Sequence, residues 1–210
     1  MKKVLMVLLA SLIAATSFAQ SFQWHQSYDN NQKFVADFYY GGDKYNLYSY
    51  NEFTVLDNQA YGFAVAYGEY KIGESNFYIH PEVRFRIGSD PAIGGFKSAI
   101  YPYGTNMTNI GFAYMLNIGD FTTFVTPMYR YDFGSGSNWQ LSFNSSMELG
   151  RLYYESYIDF WGPSSFNFCT EQKFYWMFNE VFALGVNAMV FNLDSEVKFV
   201  PFLVARISTF

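Results

Sequence analysis

Between Met107 and Tyr131 the chain alternates between two kinds of side chain along two consecutive segments. In the first segment every second residue is large and nearly always apolar, and the residues between them are small, flexible or polar. The large set is Thr108, Ile110, Phe112, Tyr114, Leu116 and Ile118. After the tight Gly119-Asp120 turn the same alternation resumes. A period of two is that of a β-strand with one apolar face, so this region predicts two half-buried strands.

The same alternation recurs along the chain and predicts about twelve strands, with ten or fourteen as alternatives. Their approximate bounds are 33–40, 44–53, 60–71, 76–87, 96–103, 107–118, 121–132, 139–149, 151–161, 166–178, 180–192 and 196–210. In the clearer strands, such as 151–161, every charged side chain falls on the parity opposite the apolar one. The segment 88–95 breaks the pattern, and residues 20–32 receive no assignment.

The predicted turns alternate in length from the C-terminus backwards. The tight ones are Gly119-Asp120, Gly150 and Phe178-Asn179, and the longer ones are 133–138, 162–165 and 193–195. Short turns at one end and longer loops at the other are typical of outer-membrane barrels. Because these outer loops are modest, we expect no large loop to plug the lumen. Arg206 and Ser208 share the parity of the terminal aromatic Phe210, which predicts a bulge or distortion in the last strand.

Alternation alone fits either an outer-membrane barrel or a soluble, lipocalin-like barrel whose apolar side chains point inward. Three features favour lipid on the outside. The strand count exceeds that of the usual soluble calyx, the apolar parity is rich in Phe, Tyr and Trp, and the polar parity mixes small residues with charges of both signs. The predicted fold class is therefore all-β, an antiparallel transmembrane β-barrel in contact with the lipid of a bacterial outer membrane.

The first residues indicate export. Met1-Lys2-Lys3 precedes the apolar run 4–15, and Ser17-Phe18-Ala19 supplies small residues at a cleavage site. This pattern predicts a signal peptide over 1–19 and a barrel over 20–210. No later segment approaches the roughly 20 consecutive apolar residues of a membrane-spanning helix.

Composition supports the same class of protein. Aromatic residues make up 22% of the chain and charged residues only 15%, against about 25% charged in an average soluble domain. Without Lys2 and Lys3 the chain has 13 − 2 = 11 basic residues against 18 acidic ones, a net charge of −7. An acidic chain argues against a nucleic-acid polymer as partner. The single Cys169 excludes an internal disulfide.

A twelve-stranded barrel has a backbone diameter of roughly 24 Å, which leaves a narrow lumen once side chains fill its walls. We expect the solute pathway to be lined by Tyr39, Tyr48, Tyr78, His80, Glu82, Arg84, Arg86, Arg130, Arg151, Tyr153, Glu155, Tyr157, Asp159, Glu171, Lys173 and Tyr175. The charges either neutralise each other across strands or meet solute. The inward tyrosines either pack or stack on flat solutes while offering hydroxyls for hydrogen bonds. No residue pattern predicts a metal site or a cofactor.

Several segments resemble a known family. Trp24-His25-Gln26-Ser27 resembles the mature start of the nucleoside-specific outer-membrane channels of the Tsx family, and segments 43–50 and 78–85 continue the similarity. The last third, from Ile158 onward, is similar to a shorter outer-membrane family of unknown function. The resemblance implies a monomeric twelve-stranded barrel whose aromatic-lined lumen passes nucleosides. The chain is shorter than Tsx, with trimmed outer loops.

The sequence leaves two rivals to a channel. His25 and Ser27 have the i, i+2 spacing that places a base and a nucleophile on one strand face, as in an outer-membrane phospholipase. However, they precede the first predicted strand and have no evident orienting Asn, so we expect no enzyme. The other rival is a purely structural or adhesive barrel. Such a barrel would be expected to have long outer loops, and the predicted outer loops are modest.

Overall fold

The computed structural model describes residues 21–27, 32–42, 44–56, 59–87, 106–133, 136–162, 167–193 and 196–208, without some strand-end side chains such as that of Arg86. The strands are β1 (Ser21–Ser27), β2 (Gln32–Gly41), β3 (Tyr45–Leu56), β4 (Gln59–Lys71), β5 (Phe77–Ile87), β6 (Met107–Ile118), β7 (Phe121–Asp132), β8 (Gly136–Leu149), β9 (Leu152–Trp161), β10 (Asn167–Met177), β11 (Phe182–Leu193) and β12 (Glu196–Ser208). Each pairs antiparallel with the next, and β1 pairs with β12 to close the barrel. The predicted all-β, antiparallel twelve-stranded barrel is confirmed.

The strand assignment differs from the prediction at two places. Every predicted strand except 96–103 overlaps an observed one, and 96–103 lies outside the described residues. Because β5 pairs directly with β6, no strand separates these two in the sheet. The twelfth strand is instead β1, in the segment that the sequence left unassigned. It is short and carries only two aromatic residues, and its pairing with the distant C-terminal strand makes it part of the barrel.

One further expectation was wrong and one is not tested. The connection from β5 to β6 lies at the same end of the barrel as 133–135 but almost wholly outside the described residues, so the modest size of all loops at that end stays a prediction. The last strand has no bulge, because β12 pairs with β11 and β1 in one uninterrupted register as far as Ser208. The predicted signal peptide and Phe210 lie outside the described residues.

The apolar parity of the strands faces outward and the polar parity faces inward. Ile110 and Phe112 are each 57% exposed, whereas the intervening Asn109 is 3% exposed. A lipocalin-like arrangement would reverse these values. No helix in the described part of the chain is long and apolar enough to cross a membrane. The exterior is therefore an apolar surface suited to lipid.

One polar group on the outward face satisfies its own hydrogen bonds. The side-chain NH₂ of Gln172 donates to Ser156 Oγ at 2.7 Å and to Thr170 Oγ1 at 2.6 Å. The hydroxyl of Tyr154 donates to Gln172 Oε1. A polar group in hydrocarbon is tolerated when its partners lie within the protein, so this patch is compatible with an exterior in lipid.

Neighbouring strands approach closely at two glycines. A Cβ on Gly111 would lie 2.2 Å from the carbonyl oxygen of Pro127, and a Cβ on Gly185 would lie 2.1 Å from that of Phe174. Since both obstacles are backbone atoms, the strands themselves would have to move apart. At Gly68, by contrast, the nearest atom is Leu47 Cδ2 at 3.5 Å, an ordinary contact.

We therefore expect Gly185→Ala to destabilise the barrel by roughly 1–3 kcal/mol, the usual cost of overpacking. Gly68→Ala is the matched control and should stay within about 0.5 kcal/mol of the parent, because its new methyl group has room. Urea unfolding in detergent micelles, followed by tryptophan fluorescence, measures both. Equal unfolding midpoints for the two variants would contradict the close approach at Gly185.

Candidate functional site in the barrel lumen

A buried arginine joins two distant strands across the interior. Glu82 and Arg84 share a parity on β5, and Tyr157 and Asp159 share one on β9, so all four point inward. Arg84 Nε donates to Glu82 Oε1 at 2.7 Å, and Nη1 donates to Asp159 Oδ2 at 2.9 Å. Arg84 Nη2 donates to the hydroxyl of Tyr157 at 2.6 Å. Strands β6, β7 and β8 lie between β5 and β9 in the sheet, so these bonds cross the lumen. We call Arg84, Tyr157 and Asp159 the cross-lumen bridge.

Amide side chains complete the surroundings of the bridge. Asn109 donates to Glu82 Oε1 at 2.5 Å, and Gln140 Nε2 donates to Asp159 Oδ2 at 3.0 Å. Toward the 133–135 loop, Arg130 and Asp132 form an ion pair at 2.7 Å. The guanidinium of Arg130 also lies 5.4 Å from the Trp161 ring. Each buried charge thus has charged or strongly polar partners, as a low-dielectric interior requires.

Aromatic rings continue the lining from the bridge toward β3. The ring of His80 lies 4.8 Å from that of Tyr67, which in turn lies 4.8 Å from that of Tyr48. We call these three residues the aromatic ladder. His80 lies between two carboxylates, with Nδ1 3.6 Å from Glu69 and Nε2 3.9 Å from Glu82. The ladder therefore combines ring faces with carboxylate acceptors on one wall.

A second ionic group lies toward the opposite end of the barrel, where the tight turns are. Arg206 Nη1 donates to Glu155 Oε1 at 3.0 Å, and its guanidinium lies 5.1 Å from the Tyr153 ring and 5.4 Å from the Tyr175 ring. The hydroxyl of Tyr175 donates to Gln23 Oε1 at 2.9 Å. Arg206 is on β12 and Glu155 is on β9, so this group also links strands that are not neighbours.

A lysine connects β10 to the far wall. Lys173 Nζ lies 3.7 Å from Glu171 and 3.9 Å from Glu155. The same atom lies 5.9 Å from the ring of Tyr50 on β3. Asp37 on β2 accepts from Gln23 Nε2 and from the Tyr48 hydroxyl, both at 3.0 Å. Lys173 thus links β9 and β10 to β3 across the lumen, and Asp37 links β2 to β1 and β3.

These contacts occupy much of the lumen at their levels. Arg84 and Gln140 are 1% exposed and Tyr175 is fully buried, although all three face the inside of the barrel. An apolar cluster occupies more of the interior and includes Met107, Trp161, Cys169, Met189, Phe202 and Val204. Other side chains at these levels are partly exposed, among them Tyr157 and Glu155, whose side chain is 27% exposed. The contacts therefore narrow the path that a solute would take.

The structure brings together most of the predicted pathway residues. Among their charges, Arg84 pairs with Glu82 and Asp159, and Lys173 lies near Glu155 and Glu171. That these charges also meet solute stays a prediction. Tyr39 is 44% exposed and donates to Asn46, and Tyr78 packs against Phe124 at 5.8 Å. The predicted position of Arg151 changes. Because β9 begins one residue later than predicted, Arg151 is exposed in the turn at the barrel rim. The side chain of Arg86 lies outside the described residues.

Sequence reasoning did not single out five of the residues that organise the lumen, namely Gln23, Tyr67, Glu69, Asn109 and Gln140. Tyr67 and Glu69 share the inward parity of β4 and were detectable in principle. The outward residues beside them, Ala66 and Gly68, are small, so no apolar stripe marked the opposite face. The amides carry no charge and gave no signal of their own.

The fold is that of known porins. The chain aligns with the structure of a KdgM porin with a TM-score of 0.58 and 11% identity, over 90% of this chain and 98% of that one. A NanC porin structure aligns with a TM-score of 0.58 and 4% identity, over 90% and 99% of the two chains. A KdgM porin in complex with disordered oligogalacturonate gives a TM-score of 0.57 and 12% identity. No protein-family model and no curated protein sequence matches the chain.

The cross-lumen bridge makes a stability prediction. Arg84→Met would leave the carboxylates of Glu82 and Asp159 buried without their cation, so we expect a loss of about 3–5 kcal/mol in unfolding free energy. Arg151→Met removes the same charge at the exposed rim and should change stability by less than about 0.5 kcal/mol. Urea titrations of both variants in micelles measure this difference. Similar losses of unfolding free energy in Arg84→Met and Arg151→Met would show that the Arg84 contacts contribute little to stability.

Proposed function

We propose that the chain is an outer-membrane channel for passive uptake of small solutes. The supporting observation is the closed twelve-stranded barrel with an apolar exterior and an interior of charges and tyrosines. An apolar exterior is stable in contact with lipid. If the interior only had to be filled, apolar side chains would be sufficient, so the polar lining favours transport.

We propose nucleosides as the solute class. The aromatic ladder offers neighbouring ring faces tilted by 32–34° to one another, and Glu69 and Glu82 beside it can accept hydrogen bonds from ribose hydroxyls or base amino groups. The resemblance of Trp24-His25-Gln26-Ser27 to the Tsx family also supports nucleosides as the solute class. The KdgM complex contains oligogalacturonate, a polyanion, and such a solute fits the present lumen less well. In the described lumen the arginines and the lysine already contact carboxylates.

The contacts across the lumen favour a second candidate, a barrel with a structural role that conducts nothing. The cross-lumen bridge and the Arg206 group link non-neighbouring strands at two levels, and either could serve only to hold the wall in shape. Conductance separates the two candidates directly.

We propose no enzymatic activity. His25 and Ser27 belong to β1, and their side chains are outside the described residues. Among the residues that the structure describes, no group of three or more His, Cys, Asp or Glu is arranged to hold a metal ion. Phospholipid hydrolysis that is lost in Ser27→Ala would overturn this proposal.

Nucleoside block in planar bilayers tests the channel. We expect discrete openings that thymidine or adenosine blocks, and we expect Tyr67→Ala to weaken the block about tenfold, because base–aromatic stacking contributes roughly 1–3 kcal/mol. Tyr67→Phe retains the ring and should keep most of the block. Tyr129→Ala is the control, since Tyr129 is 55% exposed on the outer face. Equal effects at Tyr67 and Tyr129 would rule out stacking on the ladder, and no openings at all would favour the structural barrel.

A further inference from the structure

The cross-lumen bridge divides the lumen into two sectors. It runs from β5 to β9, with β6, β7 and β8 on one side and β10 to β12 and β1 to β4 on the other. Arg84 Nη1 donates to Asp159 Oδ2 at 2.9 Å, and Arg84 Nη2 donates to the Tyr157 hydroxyl at 2.6 Å. Side chains of two separate walls are therefore in direct contact. At the level of these bonds a solute has to pass on one side of the bridge or on the other.

The sector of β6 to β8 is closed by buried side chains that bond to one another. Gln140 Nε2 donates to Asp159 Oδ2 and to Ser142 Oγ, both at 3.0 Å, and Ser142 also donates to Asp159. Asn109 Nδ2 donates to Glu82 Oε1 at 2.5 Å and to Gln140 Oε1 at 3.4 Å. Gln140, Ser142 and Asn109 are 1%, 2% and 3% exposed. A solute could enter this sector only by breaking hydrogen bonds between buried polar groups, which is costly in a low-dielectric interior.

The other sector contains inward side chains that are partly exposed. They include Tyr157 on β9, Tyr67 on β4 and Tyr48 on β3. The side chain of Glu155, the next inward residue of β9, is 27% exposed. Because these positions lie inside their strands and not at the rims, their exposed parts border space within the barrel. We call this side of the bridge the accessible sector.

Tyr157 is the member of the bridge that borders the accessible sector. Arg84 and Asp159 are 1% and 0% exposed, whereas Tyr157 is partly exposed. The Tyr157 hydroxyl accepts from Arg84 and donates to Asp159, and Arg84 Cζ lies 5.8 Å from the centre of the ring. The ring cannot turn aside without breaking these bonds, which are strong in a low-dielectric interior. Its position in the lumen is therefore fixed.

We propose that solutes pass between Tyr157 and the aromatic ladder, and that the fixed ring of Tyr157 sets the width of solute that the channel admits. This inference rests on the proposed channel and adds the position of its path and the residue that determines its size limit. The sector of β6 to β8 does not conduct and serves to support the bridge. Since the limit is one of width, neutral sugars of graded size measure it without a contribution from charge.

The test is the swelling of liposomes that contain the full-length barrel, in arabinose, glucose and sucrose. We expect the rate to fall with sugar size in the parent, and Tyr157→Ala to raise the rate for sucrose relative to arabinose several-fold. Tyr157→Phe retains the ring without its hydrogen bonds and should raise that ratio less. Tyr129→Ala is the control, because it truncates a tyrosine on the outer face, and it should leave the ratio unchanged. An unchanged ratio in Tyr157→Ala, or an equal change in Tyr129→Ala, would overturn Tyr157 as the size determinant.

Thiol labelling locates the path without altering the bridge. In a Cys169→Ala background, Tyr67→Cys places a thiol in the accessible sector and Thr126→Cys places one in the sector of β6 to β8. Thr126 is 1% exposed, and its hydroxyl has no hydrogen-bond partner among the described residues, so its replacement loses no hydrogen bond. A water-soluble methanethiosulfonate should modify Tyr67→Cys and lower its conductance in planar bilayers. It should modify Thr126→Cys only after unfolding in urea.

The labelling results separate the path from the channel itself. Faster modification of Thr126→Cys than of Tyr67→Cys in the folded barrel would overturn the proposed path while leaving the channel intact. If the parent protein gives neither openings in bilayers nor swelling with any sugar, the proposed channel fails, and the path fails with it.

Discussion

Closure of the sheet between β1 and β12 is the constraint on which the rest of the structure depends. In hydrocarbon, an open edge would leave a row of backbone N–H and C=O groups without partners, at a cost of several kcal/mol each. The short β1 removes both edges by pairing with β2 and β12. Once the sheet is closed, the period of two leaves each side chain only two environments, the lipid and the lumen.

The lumen then has to satisfy every polar group that the exterior cannot hold. Its charged side chains include two groups that link non-neighbouring strands, one around Arg84 and Asp159 and one around Arg206 and Glu155. Such pairs stabilise the interior only when their geometry and hydrogen bonding are good. The same contacts that satisfy the charges also fill the space, so structural integrity and conduction make opposing demands on one set of side chains.

Most of the strands and the orientation of their faces could be predicted from the sequence. The first strand and the contacts across the lumen could not, because they depend on residues that are far apart in the chain. The strands from Met107 to Asp132 were clear because large outward rings alternate with polar inward groups. In β4 the inward positions of Tyr67 and Glu69 were missed. The outward residues beside them are small, so the strand does not show a clear alternation of large apolar and polar residues. β1 depends on a partner about 180 residues away, which no local pattern reports. The bridge from Arg84 to Asp159 depends on which strands face each other across the lumen, and parity alone does not say which inward residues meet.

Lipid contact at individual tryptophans tests the orientation of the wall most directly. The chain has four tryptophans. Trp176 lies on the outward face with 50% exposure, and Trp161 faces the lumen with 5% exposure. Single-tryptophan proteins, with the other three replaced by Phe, can be refolded into bilayers that contain brominated lipid. Strong quenching of Trp176 with little quenching of Trp161 is the expected result. Strong quenching of Trp161 with a protected Trp176 would contradict the account.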